Sequence, residues 1–188
     1  MKINGDGVKK NIGVSKARAS TITLNQIIEL YMPLIRFCAK AGEDNDLSGK
    51  HIWYMYRQCF YTFGEGGISD FTPKRYASKE ALKVYAVLKG EEKTGIKLKN
   101  LEWKKQPKVD PERKQLILDH MYTGYEFRSN ILNLHEGKNL NIASIIKLLR
   151  ANYSLAWITR QEDKKLPKSK RPQGPEATYT SVGIELGK

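Results

Sequence analysis

From Leu24 onward the apolar residues Leu24, Ile27, Ile28, Tyr31, Leu34, Ile35 and Cys38 fall three and four apart, which puts them on one face of a helix. Thr23 and Gln26 stand where a capping box would start it, each side chain satisfying a backbone N–H that the first turn leaves unpaired. Pro33 is expected to kink or divide this helix, and Gly42 with the acidic loop Glu43-Asp44-Asn45-Asp46 to close it. Ser48 then caps a second helix, running from His51 to Thr62 and crowded with Trp53, Tyr54, Tyr56, Phe60 and Tyr61. One core stripe does not hold that many rings, so some face outward, toward another lobe or as stacking platforms for bases.

After the glycine-rich break Gly64-Glu65-Gly66-Gly67, Thr72 and Pro73 read as the cap and first turn of a third helix from Lys74 to Leu88. Tyr76, Ala77, Ala81, Leu82, Val84, Tyr85 and Leu88 give it an apolar face, Lys74, Arg75, Lys79, Lys83 and Lys89 fill much of the rest, and Gly90 ends it. Ile96, Leu98, Leu101 and Trp103 then alternate with Lys97, Lys99 and Lys104, which predicts a strand or hairpin with a basic outer face.

The densest pattern comes last. Asp110-Pro111 marks a turn, and Leu116-Ile117-Leu118 is an apolar run that ends in Asp119-His120, as a buried strand would if it delivered two polar side chains to its open end. Residues 125–135 look helical, a further helix is expected from Asn141 to Asn152, and Ser154-Leu155-Ala156-Trp157-Ile158 reads as a second strand. Thr159-Arg160-Gln161-Glu162 is another capping box, so that strand turns directly into a short helix. Tyr179 to Leu186 is expected to return as an edge strand. The sum is an α+β protein, a helical N-terminal half followed by a small mixed α/β C-terminal half. Residues 1–20 are expected to form a flexible basic arm, and residues 21–188 one domain with a candidate lobe boundary near 64–70.

Composition agrees with a packed core, since 40% of the 188 residues are hydrophobic and 28% charged. Charge changes the picture more. Thirty-three Lys and Arg against 20 Asp and Glu leave a formal net charge of +13, a self-repulsion that an anionic partner relieves. Nucleic acid is the expected partner, double-stranded DNA ahead of RNA, and a membrane surface is not. No apolar run approaches the ~18 residues that span a bilayer, and the polar N-terminus has no secretory h-region, so a cytoplasmic, intracellular location is expected. Cys38 and Cys59 sit in apolar helical patterns, where a free thiol acts as a small hydrophobe. Oligomeric state and recognised sequence stay open.

The nucleic-acid-binding set read from the sequence is Lys74, Arg75, Arg128, Arg160, Lys164, Lys165, Lys168, Lys170 and Arg171. Five of these cations fall within residues 164–171, broken by Pro167, a run that suits a phosphate-gripping loop and no core element. The N-terminus of the helix after Thr159, with Arg160 beside it, adds backbone donors. A second class of reading is a non-catalytic interaction module whose aromatic helix, residues 51–63, docks on a partner protein.

A catalytic alternative centres on Leu118-Asp119-His120, which resembles the strand end of the ββα-metal (HNH) nuclease family over some 25 residues. The resemblance implies a metal-dependent DNA endonuclease with His120 as general base and Asp119 as ligand to Mg²⁺. His135, Asn139 or Asn141 would complete the site, and Asp119, His135 and Asn141 are the candidate metal set. His135 follows too soon for a second strand to fit between, and zinc-knuckle cysteines are missing. Glu102-Trp103-Lys104 similarly resembles the Glu-x-Lys half of a PD-(D/E)xK site, with Asp70, Glu91 or Glu92 as its upstream acid. The acidic loop at 43–46 lacks the spacing of a calcium loop, and the glycine-rich break lacks the Lys of a phosphate loop.

Overall fold

All six residues of the strand β3, Ser154–Thr159, are buried, and the other strands are laid on either side of it. The computed structural model describes residues 22–44, 49–64, 68–90, 98–168, 170–171 and 174–187. The expected basic arm, the Ser48 cap, residues 65–67 of the glycine-rich break and the alternating residues 91–97 lie outside these.

β2 (Leu116–His120) runs antiparallel to β3 on one side, and β1 (Lys74–Ser78) runs parallel to it on the other. β4 (Leu186–Gly187) pairs antiparallel with β1, so the strand order is β2-β3-β1-β4 in one mixed sheet. Register fixes the faces. Leu118 stands opposite Trp157, Asp119 opposite Ala156 and His120 opposite Leu155. Successive side chains of a strand point to opposite faces. Leu116, Leu118 and His120 therefore share one face with Leu155, Trp157 and Ala77, while Ile117 and Asp119 share the other with Ala156, Ile158 and Tyr76.

Helices α1 (Leu24–Asp44), α2 (Gly49–Thr62), α4 (Gly124–Glu136) and α5 (Ile142–Asn152) cover the first face. Their core joins Ile28, Ile35, Phe60, Phe63, Phe127, Ile131, Ile145 and Leu149 to Leu155 of the sheet. Asp70 accepts the Leu24 N–H at 2.6 Å, while Thr23 and Gln26 form the reciprocal bonds expected of a capping box. α1 continues past Pro33 to Asp44. Pro33 and Glu29, whose carbonyl loses its helical donor, both lie on the exposed side, where the freed group is open to solvent. Cys38 and Cys59 are buried free thiols, and burial pushes the Cys59 thiol up to about 12.

α3 (Lys79–Lys89) packs a second core of Ala81, Tyr85, Leu98, Val109, Leu116 and Trp157, and α7 (Pro175–Ser181) closes a third on the other face with Met121, Ile158, Tyr179 and Ile184. The four-residue α6 (Arg160–Asp163) follows β3 through the predicted capping box, with Thr159 and Glu162 bonded reciprocally.

Three expected elements are assigned differently. Lys74–Ser78 is strand, and α3 starts only at Lys79, because Ser78 caps the Ala81 N–H at 3.0 Å and the preceding residues pair with β3. Trp103 to Lys108 is a 3-10 helix in place of strand or hairpin. Tyr179 lies in α7, and of the expected terminal strand only Leu186 pairs with the sheet, together with Gly187 beyond it. Among the described residues no helix is long and apolar enough to cross a membrane.

Candidate nucleic-acid interface

The polar end of β2 divides between the two faces of the sheet. Asp119 turns toward α7, where its carboxylate accepts from Arg171 Nη1 at 2.7 Å and Nη2 at 3.3 Å and from the Tyr179 hydroxyl. Arg171 Nη1 also donates to the carbonyls of His120 at 2.9 Å and Met121 at 3.2 Å. Burial disfavours the Arg171 cation, but the bond to Asp119 together with the charge of Asp119 and the nearby Tyr179 and Glu126 outweighs it and raises its pKa. Burial and the adjoining carboxylate raise that of Tyr179. His120 faces the helices instead, its ring 4.7 Å from Tyr61, 5.4 Å from Phe60 and 6.0 Å from Tyr153. Desolvation in this aromatic pocket lowers its pKa to about 4 against the opposing charge of Asp119, with Arg171 and Arg57 acting in the same direction as burial.

Asp119 and His120 thus do not share a site, which corrects the expectation that the strand end delivers both to one place. The candidate metal set is not gathered either. Both oxygens of Asp119 are engaged by a buried guanidinium, and an ion would have to displace it. Asn141 is the cap of α5, its Oδ1 accepting from the Ser144 N–H at 2.9 Å and its Nδ2 donating to the Asn139 carbonyl at 3.1 Å. His135 belongs to the last turn of α4. Among the described residues no three His, Cys, Asp or Glu side chains converge as metal ligands would. These residues do not fit Mg²⁺ as they stand. For the Glu-x-Lys alternative, Glu102 pairs with Lys105 at 2.6 Å at the mouth of a 3-10 helix and Asp70 caps α1 and pairs with Arg150 at 3.3 Å, while Glu91 and Glu92 lie outside the described residues.

The cations read from the sequence separate into groups. Arg171 is buried in the ion pair with Asp119 and so is withdrawn from the surface set. Lys164 and Lys165 are exposed in the turn after α6, Lys168 is bonded to Asp163 at 2.8 Å, and Lys170 lies over the Tyr125 ring at 5.6 Å. Arg128 is half-buried on α4. Lys74 and Arg75 are strand neighbours, so they point to opposite faces. Lys74 lines a cleft of about 260 Å³ with Tyr76 and Glu176, while Arg75 Nη1 reaches the Leu101 carbonyl at 3.4 Å. In α2, Tyr56 and Phe60 are core residues, as is Phe63 just after it, and Tyr54 is exposed.

Arg160 connects its loop to a group the sequence reading did not pick out. Its backbone N–H donates to the Gln115 carbonyl at 2.8 Å and its Nε to the Arg113 carbonyl at 3.0 Å. Arg113 lays its guanidinium over the Trp103 ring, 4.0 Å from the centroid. Lys104, Lys105 and Lys108 line the 3-10 helix beside Trp103, and Lys114 follows Arg113, paired with Glu112. The turn that carries Arg113 is built by Asp110. Its carboxylate accepts the N–H groups of Lys114 at 3.1 Å, Gln115 at 3.0 Å and Leu116 at 2.9 Å, and Gln106 Nε2 at 3.3 Å. Burial would raise the Asp110 pKa, but these donors overcome it and hold the group below its ordinary value. The available signal was an aromatic residue flanked by lysines, Trp103-Lys104-Lys105, followed by the turn residues Asp110-Pro111. The comparisons add no relative: no family model, curated protein or solved structure matches the chain.

Proposed function

We propose that this protein binds nucleic acid, with duplex DNA as its first target, through a basic surface that runs from the 3-10 helix across Arg160 to the loop after α6. The observation that carries the reading is the junction at Arg160. One side chain ties the cationic turn around Arg113 to Lys164 and Lys165, four and five residues further on. Cations scattered over a surface serve solubility, whereas cations from two segments brought side by side form a track for consecutive phosphates. The net charge of +13 supplies the long-range attraction that steers a polyanion onto it.

The test is titration of a fluorescently labelled duplex at several salt concentrations, read as anisotropy. Each neutralised phosphate contributes roughly −0.9 to the slope of log affinity against log salt. About six contacts would lower affinity about 10³-fold between about 50 and about 200 mM salt. Affinity that stays flat over that range, or no shift of the duplex at low salt, overturns the reading.

A further inference from the structure

We propose that Trp103 and Arg113 form a stacking platform for an unpaired nucleic-acid base, with the neighbouring cations holding its flanking phosphates. The proposal rests on the nucleic-acid reading above and goes beyond it, from a charged track to a site for a base.

Trp103 keeps 37% of its surface exposed, although Arg113 covers one side of its ring. On the inner side it is braced by Trp157, whose ring lies 6.3 Å away at an interplanar angle of 23°. Trp157 is itself fixed, buried in β3 with its indole N–H donated to the Leu101 carbonyl at 3.2 Å. A buried indole and a guanidinium therefore both pack on Trp103. A guanidinium is planar, its N–H groups lie in its plane, and its outer face takes a base as an aromatic ring does.

Arg113 is also held there by an unusual backbone. Its φ is +52°, in the left-handed region that a residue with a long side chain seldom enters. Asp110 accepts three successive N–H groups beyond it, the Asp110 carbonyl accepts the Arg113 N–H at 2.9 Å, and Arg160 bonds the Arg113 carbonyl. Five hydrogen bonds thus enforce a conformation that aims one cation at one ring. A guanidinium placed only to cover an apolar surface needs no such turn, and Trp103 would then be less exposed. Strain held in place by its surroundings is characteristic of functional positions.

The class of ligand follows from the geometry. A flat face of this kind is complementary to the face of a base, and in a duplex those faces are covered by neighbouring base pairs. Lys104 and Lys108 on the 3-10 helix, with Arg160 behind, supply positive charge for the phosphates on either side of a stacked base, whereas Lys105 and Lys114 are already paired with Glu102 and Glu112. Aromatic platforms beside a cationic groove are how single strands are held without a sequence requirement.

Binding of a short oligothymidylate, the same oligomer made abasic, and a duplex of equal length separates stacking from charge. Wild-type protein is expected to prefer the oligothymidylate to its abasic counterpart by about ten-fold or more. Trp103→Ala and Arg113→Asn should each remove that preference, while Trp103→Phe retains most of it. Asn tolerates the left-handed backbone at 113, so this variant keeps the turn if Trp103→Ala does not fold. Equal wild-type affinity for the oligothymidylate and the abasic oligomer, or an unchanged preference in Arg113→Asn, overturns the platform while leaving the charged track intact. No binding of any of the three probes at low salt overturns the track and the platform together.

Discussion

The carboxylate of Asp119 and the guanidinium of Arg171, 52 residues apart in the chain, meet in a two-point ion pair beneath α7, at 2.7 and 3.3 Å. Arg171 is 4% exposed, and its Nε has no hydrogen-bond partner among the described residues. Removing one member of such a pair strands the other charge away from water. Asp119→Ala or Arg171→Ala should lower unfolding free energy by roughly 3 to 5 kcal/mol, measured by urea denaturation. The double variant should cost less than the two single changes summed, because neither charge is then left alone. Additive losses would mean the pair is not coupled.

Acid sensitivity is expected from His120. Its folded pKa is depressed to about 4 by burial among Phe60, Tyr61 and Tyr153. In the unfolded chain it titrates near ~6.5, so below that pH the unfolded state binds a proton that the folded state refuses. Stability from this group is complete above ~6.5 and is lost as pH falls toward about 4. The loss amounts to at most about 3 kcal/mol. Denaturation midpoints of wild type and His120→Gln across that window check it. The variant should lose most of the slope, even if it is less stable at neutral pH.

Asp110 contributes in a lower window. Its folded pKa lies below that of a free carboxylate, so its stabilisation is present above the unfolded value and disappears as pH falls through the folded one. Asp110→Ala leaves three backbone N–H groups near Leu116 without their acceptor. A loss of roughly 2 to 4 kcal/mol is expected at neutral pH. The same change should release Arg113 from the Trp103 ring, visible as altered tryptophan fluorescence. Unaltered emission would show that the turn holds without the carboxylate.

The parts of this fold that sequence made readable are those whose causes are local. The helix from Ile142 is bounded by its own Asn141 cap, and α6 starts at Thr159 because Thr159 and Glu162 satisfy each other within four residues. Lys74–Ser78 was illegible because its strand character comes from β3, some eighty residues away, which overrides a helical spacing of apolar residues. The pairing of Asp119 with Arg171 hid for the same reason. Arg171 reads as one more cation in a basic run, and only the return of the chain through α7 carries it under the sheet. Period-two alternation, by contrast, already implies that adjacent Asp119 and His120 face apart once their segment is a strand. The Trp103 platform depends on a positive φ at an arginine, a backbone state that residue type does not announce.

Lysines within the loop after α6 should be separable by salt. Lys164 and Lys165 are exposed in the turn after α6 with no ion pair among the described residues, whereas Lys168 is bonded to Asp163 and Arg171 to Asp119. A lysine already neutralised by a carboxylate has less to gain from a phosphate, so the first two should dominate the counterion release from this loop. Lys164→Ala with Lys165→Ala is expected to weaken duplex binding equally across sequences and to reduce the salt slope by roughly 1 for each lysine. Both substitutions fall on exposed side chains, so stability should change by less than about 0.5 kcal/mol each, which excludes unfolding as the cause. Lys168→Ala should change the slope by clearly less than either. Anisotropy titrations at several salt concentrations measure all three, and a slope that is the same in the double variant as in wild type would place the contacts elsewhere on the surface.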